Sequence, residues 1–371
     1  MVPVAVSAHA QLIGSDPAAG STLSSPPTTV TLLFSEAVTP VGRGISVYGP
    51  DGRLAQSGSA TAQGTRLAVK VTAAAEGTYA VIWTVIAADT HPSRGEFTFS
   101  VGHGGPVRAP GIGDGDIGLV SATGLFLQAL GRWLHFAGFA LGFGSATYAL
   151  FVARDPRPLR LAATAGVVLL LLAAPVALLA QTASIDPAQT FDGDALTSTL
   201  ASPFGRVLGL QMAAALVLWA ILGALRQAPW LRFSIPTLGV ALALVDATAA
   251  HATPALPQPL GLALNALHVS AMAMWFGGLA AFLVAPVGRF GRVALLSTGL
   301  LIASGAALAL LHFSNPLQTM STAYGGILMV KLLLVAPALY LAWRARRRGE
   351  LAALTAVLAV AAVLISLPPP R

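Results

Sequence analysis

NALHVSAMAMWFGGLAAF, residues 265–282, has the length and apolarity of a helix that crosses a bilayer, yet it carries Asn265, His268, Met272 and Trp275. Residues three and four apart share a helix face, so Asn265, His268 and Met272 lie near one line. Polar and soft metal-binding side chains inside a span are costly, and by default they mark a pathway or a ligand site. A polar helix–helix contact, with Gly277-Gly278 for close approach, is the plainer alternative. The rest of the chain tips the balance towards a metal.

Of the 371 residues, 55% are hydrophobic and 9% charged, whereas a soluble domain has roughly a quarter charged. This is the composition of a multi-span membrane protein. The apolar part begins near residue 117 and is preceded by about one domain of ordinary polar sequence. The net charge of +7 does not signal nucleic acid, because the arginines sit in short loops between spans. There are no cysteines, which excludes disulfides and thiolate metal sites. A metal must be held by His, Met, Asp, backbone or the amino terminus.

Eight spans are expected, at roughly 119–152, 159–181, 203–225, 233–250, 260–284, 291–312, 324–343 and 350–367. The first is longer than a bilayer needs, so it tilts or projects. Arg154, Arg157 and Arg160, then Arg226 and Arg232, then Arg289 and Arg292, then Arg344 and Arg346 to Arg348 occupy alternate loops, which eight spans place on one side. The opposite loops hold Asp186, Asp192 and Asp194. The arginine side is expected to be cytoplasmic, with both termini outside. The unusual residues then collect in the outer half: Arg132 and His135 in span one, Asp246 and His251 at the end of span four, His268 and Met272 in span five, His312 at the end of span six, and Lys331 in span seven. Arg132 and Lys331 need partners or water, and Asp246 is one option. Tyr324-Gly325-Gly326 can open span seven and free backbone groups to line a cavity. Glu350 is expected to pair with loop arginines. GGLAA (277–281) and ASGAA (303–307) read as packing faces.

Before the spans, TVTLLF (29–34), GISVYG (44–49), RLAVKV (66–71), TYAVIWTVIA (78–87) and GEFTFSVG (95–102) read as strands between Gly and Pro turns. They suggest a small β-sandwich or barrel. Asp89-Thr90-His91-Pro92 follows the longest of them, and Asp89 and His91 project the same way on extended backbone. Residues 1–8, MVPVAVSA, read as the remnant of a signal peptide cut after Ala8. His9 would then offer an α-amine and an imidazole. With Asp89 and His91 that makes a nitrogen and oxygen set suited to Cu(II). HGGPVRAPGIGDGD, residues 103–116, is a Gly/Pro linker, and the membrane domain is expected over 117–371. His103 reads as a solvated linker residue. A short tether raises the local concentration of a captured metal at the membrane mouth.

The runs HAQLIGSDPAAGSTLSSPPTTVTLLFSEAV (9–38) and WTVIAADTHPSRGEFTFSVG (83–102) resemble copper resistance protein C, the periplasmic CopC domain. The resemblance implies a Greek-key β-sandwich that binds Cu(II) at His9, Asp89 and His91. Apart from Met1, residues 1–211 hold no Met, so the Met-rich Cu(I) site of some members is not expected. GRWLHFAGFALG (131–142), SPFGRVLGLQ (202–211), AHA (250–252), LHVSAMAMWFGGLAAF (267–282), ASGAALAL (303–310) and STAYGGILMVKLLLVAPAL (321–339) resemble the copper resistance protein D (CopD) family. Against that pattern, Ala250 stands where Gly is expected and Gln211 where a second Arg is expected. The resemblance implies an eight-helix transmembrane bundle. The residues collected in its outer half suggest a copper path through His135, His251, His268 and Met272, with His312 as a further candidate, supported by Arg132, Asp246, Trp275, Tyr324 and Lys331.

Fusions in this order are a bacterial copper-uptake type. The implied function is copper import across the inner membrane rather than an enzyme activity, with the β domain outside. Expected partners are copper ions, lipid and periplasmic copper donors, with no nucleic acid. No Walker motif is present to point to ATP. Two other readings stay open: a haem-bearing redox protein using histidines such as His135 and His268, and a resistance protein that sequesters copper without moving it.

Overall fold

The computed structural model describes residues 10–72, 75–87, 92–107, 122–185, 190–249, 258–286, 289–312 and 322–367. These fall into two compact units. One is built on the residues before Gly124 together with Gln181–Gly205, the other on Leu125–Ala180 and Arg206–Pro370.

In the first unit the strands are β1 (Leu12–Asp16), β2 (Thr22–Leu23), β3 (Thr29–Phe34), β4 (Val38–Tyr48), β5 (Gln56–Gln63), β6 (Arg66–Val71), β7 (Gly77–Ala87) and β8 (Pro92–Val101). They form two four-stranded sheets, ordered β1-β3-β6-β5 and β2-β8-β7-β4. Alternation drives the burial: in β3, Val30, Leu32 and Phe34 are buried, and in β6, Leu67, Val69 and Val71. Those side chains pack with Val81, Trp83, Val85 and Phe99 of the other sheet, which makes the unit a β-sandwich. Trp83 sits edge-on to Phe34 at 5.0 Å. Its indole also lies over its cross-strand partner Gly95, where any Cβ would overlap the ring.

Three strands lie outside the sequence expectation. β5, QSGSATAQ, is polar and bulged at Ser57/Thr61, because it is an edge strand with one pairing side. β1 is the opposite edge of the same sheet, and β2 is only two residues long. The unit also contains α3 (Gly193–Ala201), N-capped by Asp192 accepting from Ala195 N at 2.8 Å.

The second unit is helical. α1 (Ala122–Phe139) runs on through a π-helical segment Ala140–Gly144, one α turn Ser145–Tyr148 and a second π segment Ala149–Ala153. The extra residue in each wide turn takes up part of the length that made this span look too long. α2 (Thr164–Ile185) follows its own π-helical start, Leu159–Ala163. Then come α4 (Pro203–Ala224), α5 (Ser234–Ala249), α6 (Gln258–Val284), α7 (Phe290–His312), α8 (Ala323–Trp343) and α9 (Arg347–Ser366). Eight helical stretches among the described residues are long and apolar enough to cross a membrane, as the sequence predicts.

Glycines set the closest approaches. A Cβ on Gly277 would strike the Ala140 carbonyl, and one on Gly144 the Ala273 carbonyl. α6 therefore lies backbone against backbone on the first π segment, so Gly277 does serve close packing. The arginine-bearing turns gather at one end. Tyr148 meets Phe290 at 5.9 Å, Arg347 lies over Phe290 at 5.1 Å, and Arg154 and Arg232 line one cavity.

Candidate functional site

The polar side chains of the helical unit form separate groups. In the first, His135 Nε2 meets Asp246 Oδ2 at 2.8 Å, and Gln211 Nε2 donates to Asp246 Oδ1 at 2.9 Å. Both partners of the His–Asp pair are buried. With the Asp246 carboxyl oxygen as acceptor, the ring donates through Nε2–H, and Nδ1 takes no part in this pair. Gln211 thus does the orienting at the position where the resemblance called for a second arginine. Asp246 is committed to these two groups and does not pair with Arg132 or Lys331. Arg132 instead donates to Ser366 Oγ on α9 at 3.3 Å.

The second group is on α6 and α7. His268 Nδ1 lies 3.0 Å from Ser304 Oγ. The one hydroxyl hydrogen of Ser304 goes to Leu300 O, 2.6 Å away, so Oγ accepts from the ring. The tautomer that follows has its proton on Nδ1 and a lone pair on Nε2. Gly305 makes room for the ring, since a Cβ there would lie 3.0 Å from His268 Cε1. Ser304 and Gly305 belong to the ASGAA run, which looked from sequence like packing alone. Both histidines are therefore held at one nitrogen and offer the other, the arrangement that protein partners impose on metal-ligating imidazoles.

Met272 follows His268 by one turn and packs against the helical core. Asn265 gives its amide to Gly261 O of its own helix at 3.0 Å. Lys331 lies on α8. Tyr324 lies in the first turn of α8, where Thr322 Oγ1 caps Gly325 N at 3.1 Å and Gly326 N bonds Thr322 O. The Tyr-Gly-Gly sequence therefore starts this helix instead of opening it. Trp275 points to a third group: its Nε1–H donates to Glu350 Oε1 at 2.8 Å, and Arg347 Nη1 reaches Glu350 Oε2 at 2.7 Å. Glu350 is completely buried. The expected loop ion pair is present, with the α6 indole as an additional partner.

Among the described residues, no three His, Asp or Glu side chains gather as a metal cluster. Among the described residues, the structure thus gives two oriented histidines in separate hydrogen-bonded groups. His9, Asp89, His91 and His251 lie outside the described residues. Asp89 and His91 fall between Ile86 and Pro92, the last pair in the β7–β8 register. His312 is the final residue of α7. His103 is exposed and 3.5 Å from Glu76.

Comparison with known proteins extends these observations. Residues 12–102 match the CopC domain, residues 122–255 the N-terminal domain of copper resistance protein D-like proteins, and residues 284–356 copper resistance protein D. The copper transport protein CutJ of Bacillus subtilis is 26% identical over 98% of this chain and 75% of its own length. Protein YobA of Escherichia coli is 32% identical over 27% of this chain and 85% of its own. Among solved structures, CopC from Methylosinus trichosporium OB3b aligns with 26% identity, 27% of this chain, 98% of its own and a TM-score of 0.23. The chain is a multi-pass membrane protein and belongs to the copper resistance proteins that join a CopC domain to a copper resistance protein D domain in one polypeptide.

Proposed function

We propose that this protein imports copper. The CopC domain takes Cu(II) at His9, Asp89 and His91 on the outer face and passes it to the membrane domain. There the imidazoles of His135 and His268 form successive stations, with Met272 beside the second and His251 and His312 towards the outer ends of their spans. The observation that carries this reading is the seat of His268. A histidine inside a span is fixed through Nδ1 by Ser304, so Nε2 keeps its lone pair for a ligand. Imidazole and thioether together accept Cu(II) and Cu(I), so the pair tolerates either oxidation state. Similarity to a protein named for copper transport over nearly the whole chain supports the same reading. The arginine-bearing turns at one end of the bundle support an outward-facing amino-terminal domain.

The test is copper accumulation in cells that lack other uptake routes, with the chain, without it, and with His268→Ala. Accumulation that needs both the chain and His268 is expected. Lower copper with the chain present points to export. No change, with copper still bound to the β domain, points to sequestration or haem chemistry. Capture is tested separately. Adding a residue before His9, or His91→Ala, is expected to abolish tight Cu(II) binding while the β domain stays folded. Unchanged affinity removes those ligands from the reading.

A further inference from the structure

At the arginine-bearing end of the helical unit, a cavity of about 610 Å³ opens between the turn after the second π segment and the turn that leads into α5. Its wall carries Arg154, Asp155 and Arg232 beside Phe151, Leu159 and Phe233. A second cleft of about 540 Å³ shares Phe233 with it and runs between α4 and α5 past Val217, Ile221, Trp230 and Leu238. Both lie in the range of about 300–1,000 Å³ usual for ligand sites. One is polar with two guanidinium groups, and the other is almost wholly apolar.

The charge balance of the first cavity is one-sided. The Asp155 carboxylate is occupied by Arg157, whose backbone N–H donates at 2.8 Å and whose guanidinium donates at 2.7 and 3.1 Å. Those hydrogen bonds hold its carboxyl below the usual carboxylate range, so it stays ionised and engaged. Arg154 and Arg232 are exposed, and among the described residues neither pairs with a carboxylate. Arg232 lies over the Phe233 ring at 4.8 Å, and Phe233 meets Phe151 at 5.6 Å. Arg154 has φ 55°, a left-handed backbone usually reserved for glycine. An arginine kept in a strained position suggests that its side chain is used. Trp230 and Phe233 are largely exposed at the rim, as interfacial aromatics are.

We propose that these adjoining cavities bind one anionic phospholipid, with its phosphate between Arg154 and Arg232 and an acyl chain in the cleft beside Trp230. Basic pockets between spans on the positive side recognise such headgroups, and the apolar cleft distinguishes a lipid from a free anion. The site shares no residue with the His135 and His268 groups and does not depend on the direction of copper movement.

The experiment uses the full chain purified in a neutral detergent. Thermal unfolding is followed during titration with phosphatidylglycerol, phosphatidylcholine and glycerol 3-phosphate. Phosphatidylglycerol alone is expected to raise the midpoint. Arg232→Ala and Arg154→Gly are each expected to weaken that effect at least tenfold, whereas Arg292→Ala, on another basic turn, leaves it intact. Arg154→Gly relieves the backbone, so its lipid-free midpoint should equal or exceed that of the parent, which separates loss of binding from loss of fold. Equal protection by phosphatidylcholine overturns the reading, as does an Arg292→Ala loss as large as that of Arg232→Ala. Equal protection by glycerol 3-phosphate replaces the lipid with a free phosphate ligand and also overturns it.

Discussion

His268 depends on two neighbours that carry no charge. Ser304→Ala removes the side-chain group that, among the described residues, holds Nδ1, and partners of this kind are worth about 10–100-fold in metal affinity. The expected result is a fall in copper uptake of about that size at unchanged protein level in the membrane, with recovery in Ser304→Thr. Gly305→Ala is expected to act in the same direction. Its Cβ would sit 3.0 Å from the ring, so the imidazole must turn and Nε2 changes its aim. Uptake assays on both variants check this, and normal rates in Ser304→Ala would remove the seat from the mechanism. The sequence exposed His268 because an imidazole in a span is rare, but it hid the seat. A serine and a glycine on a neighbouring helix look the same whether they pack a backbone or hold a ring. Gln211 was legible only as a departure from a family pattern; its bond to Asp246 needed coordinates.

Between elements, the Trp275–Glu350–Arg347 group ties α6 to α9. Glu350→Ala leaves a buried indole N–H and a guanidinium without their acceptor, and breaking a buried pair in this way costs on the order of 3–5 kcal/mol. A clear drop in the thermal midpoint of the detergent-solubilised protein is expected. Glu350→Gln should lose less, because an amide oxygen still accepts from Trp275. In the sandwich, Gly95→Ala forces a methyl into the Trp83 indole, and overpacking of this kind costs about 1–3 kcal/mol. Loss of β-sheet circular dichroism at a lower temperature would register it. The helices and the inner strands were legible because an apolar run of span length fits little besides a span, and clean alternation fits little besides a half-buried strand. β1, β2 and β5 were not: β2 is two residues long, and β1 and β5, unlike the edge strand β4, lack a clean apolar alternation, which one paired side tolerates.

For the molecule as a whole, sidedness is the property that makes import distinct from export. The chain has no cysteine, so a single introduced thiol reports without background. Gln227→Cys lies on an arginine-bearing turn and Asp194→Cys on α3, and both positions are exposed. A membrane-impermeant maleimide added to intact spheroplasts is expected to label Asp194→Cys and to reach Gln227→Cys only after the membrane is opened. The reverse pattern would invert the protein and with it the direction proposed for copper. The alternation of arginines along the sequence was enough to predict that their turns share one end. The contacts of Phe290 with Tyr148 and Arg347 bring three of those regions together in space, and the cavity lined by Arg154 and Arg232 adds the fourth.

Trp275 and Glu350 are separated by 75 residues of chain. During synthesis, the helix that carries His268 is therefore made before α7, α8 and the carboxylate that accepts from its indole. Closure of that bond joins α9 to α6 only after α7 and α8 have been made. A nascent protein halted before Arg347 should keep α6 loosely held and be cleared faster by membrane proteases than one halted after Ser366, as a pulse-chase comparison of the two would show.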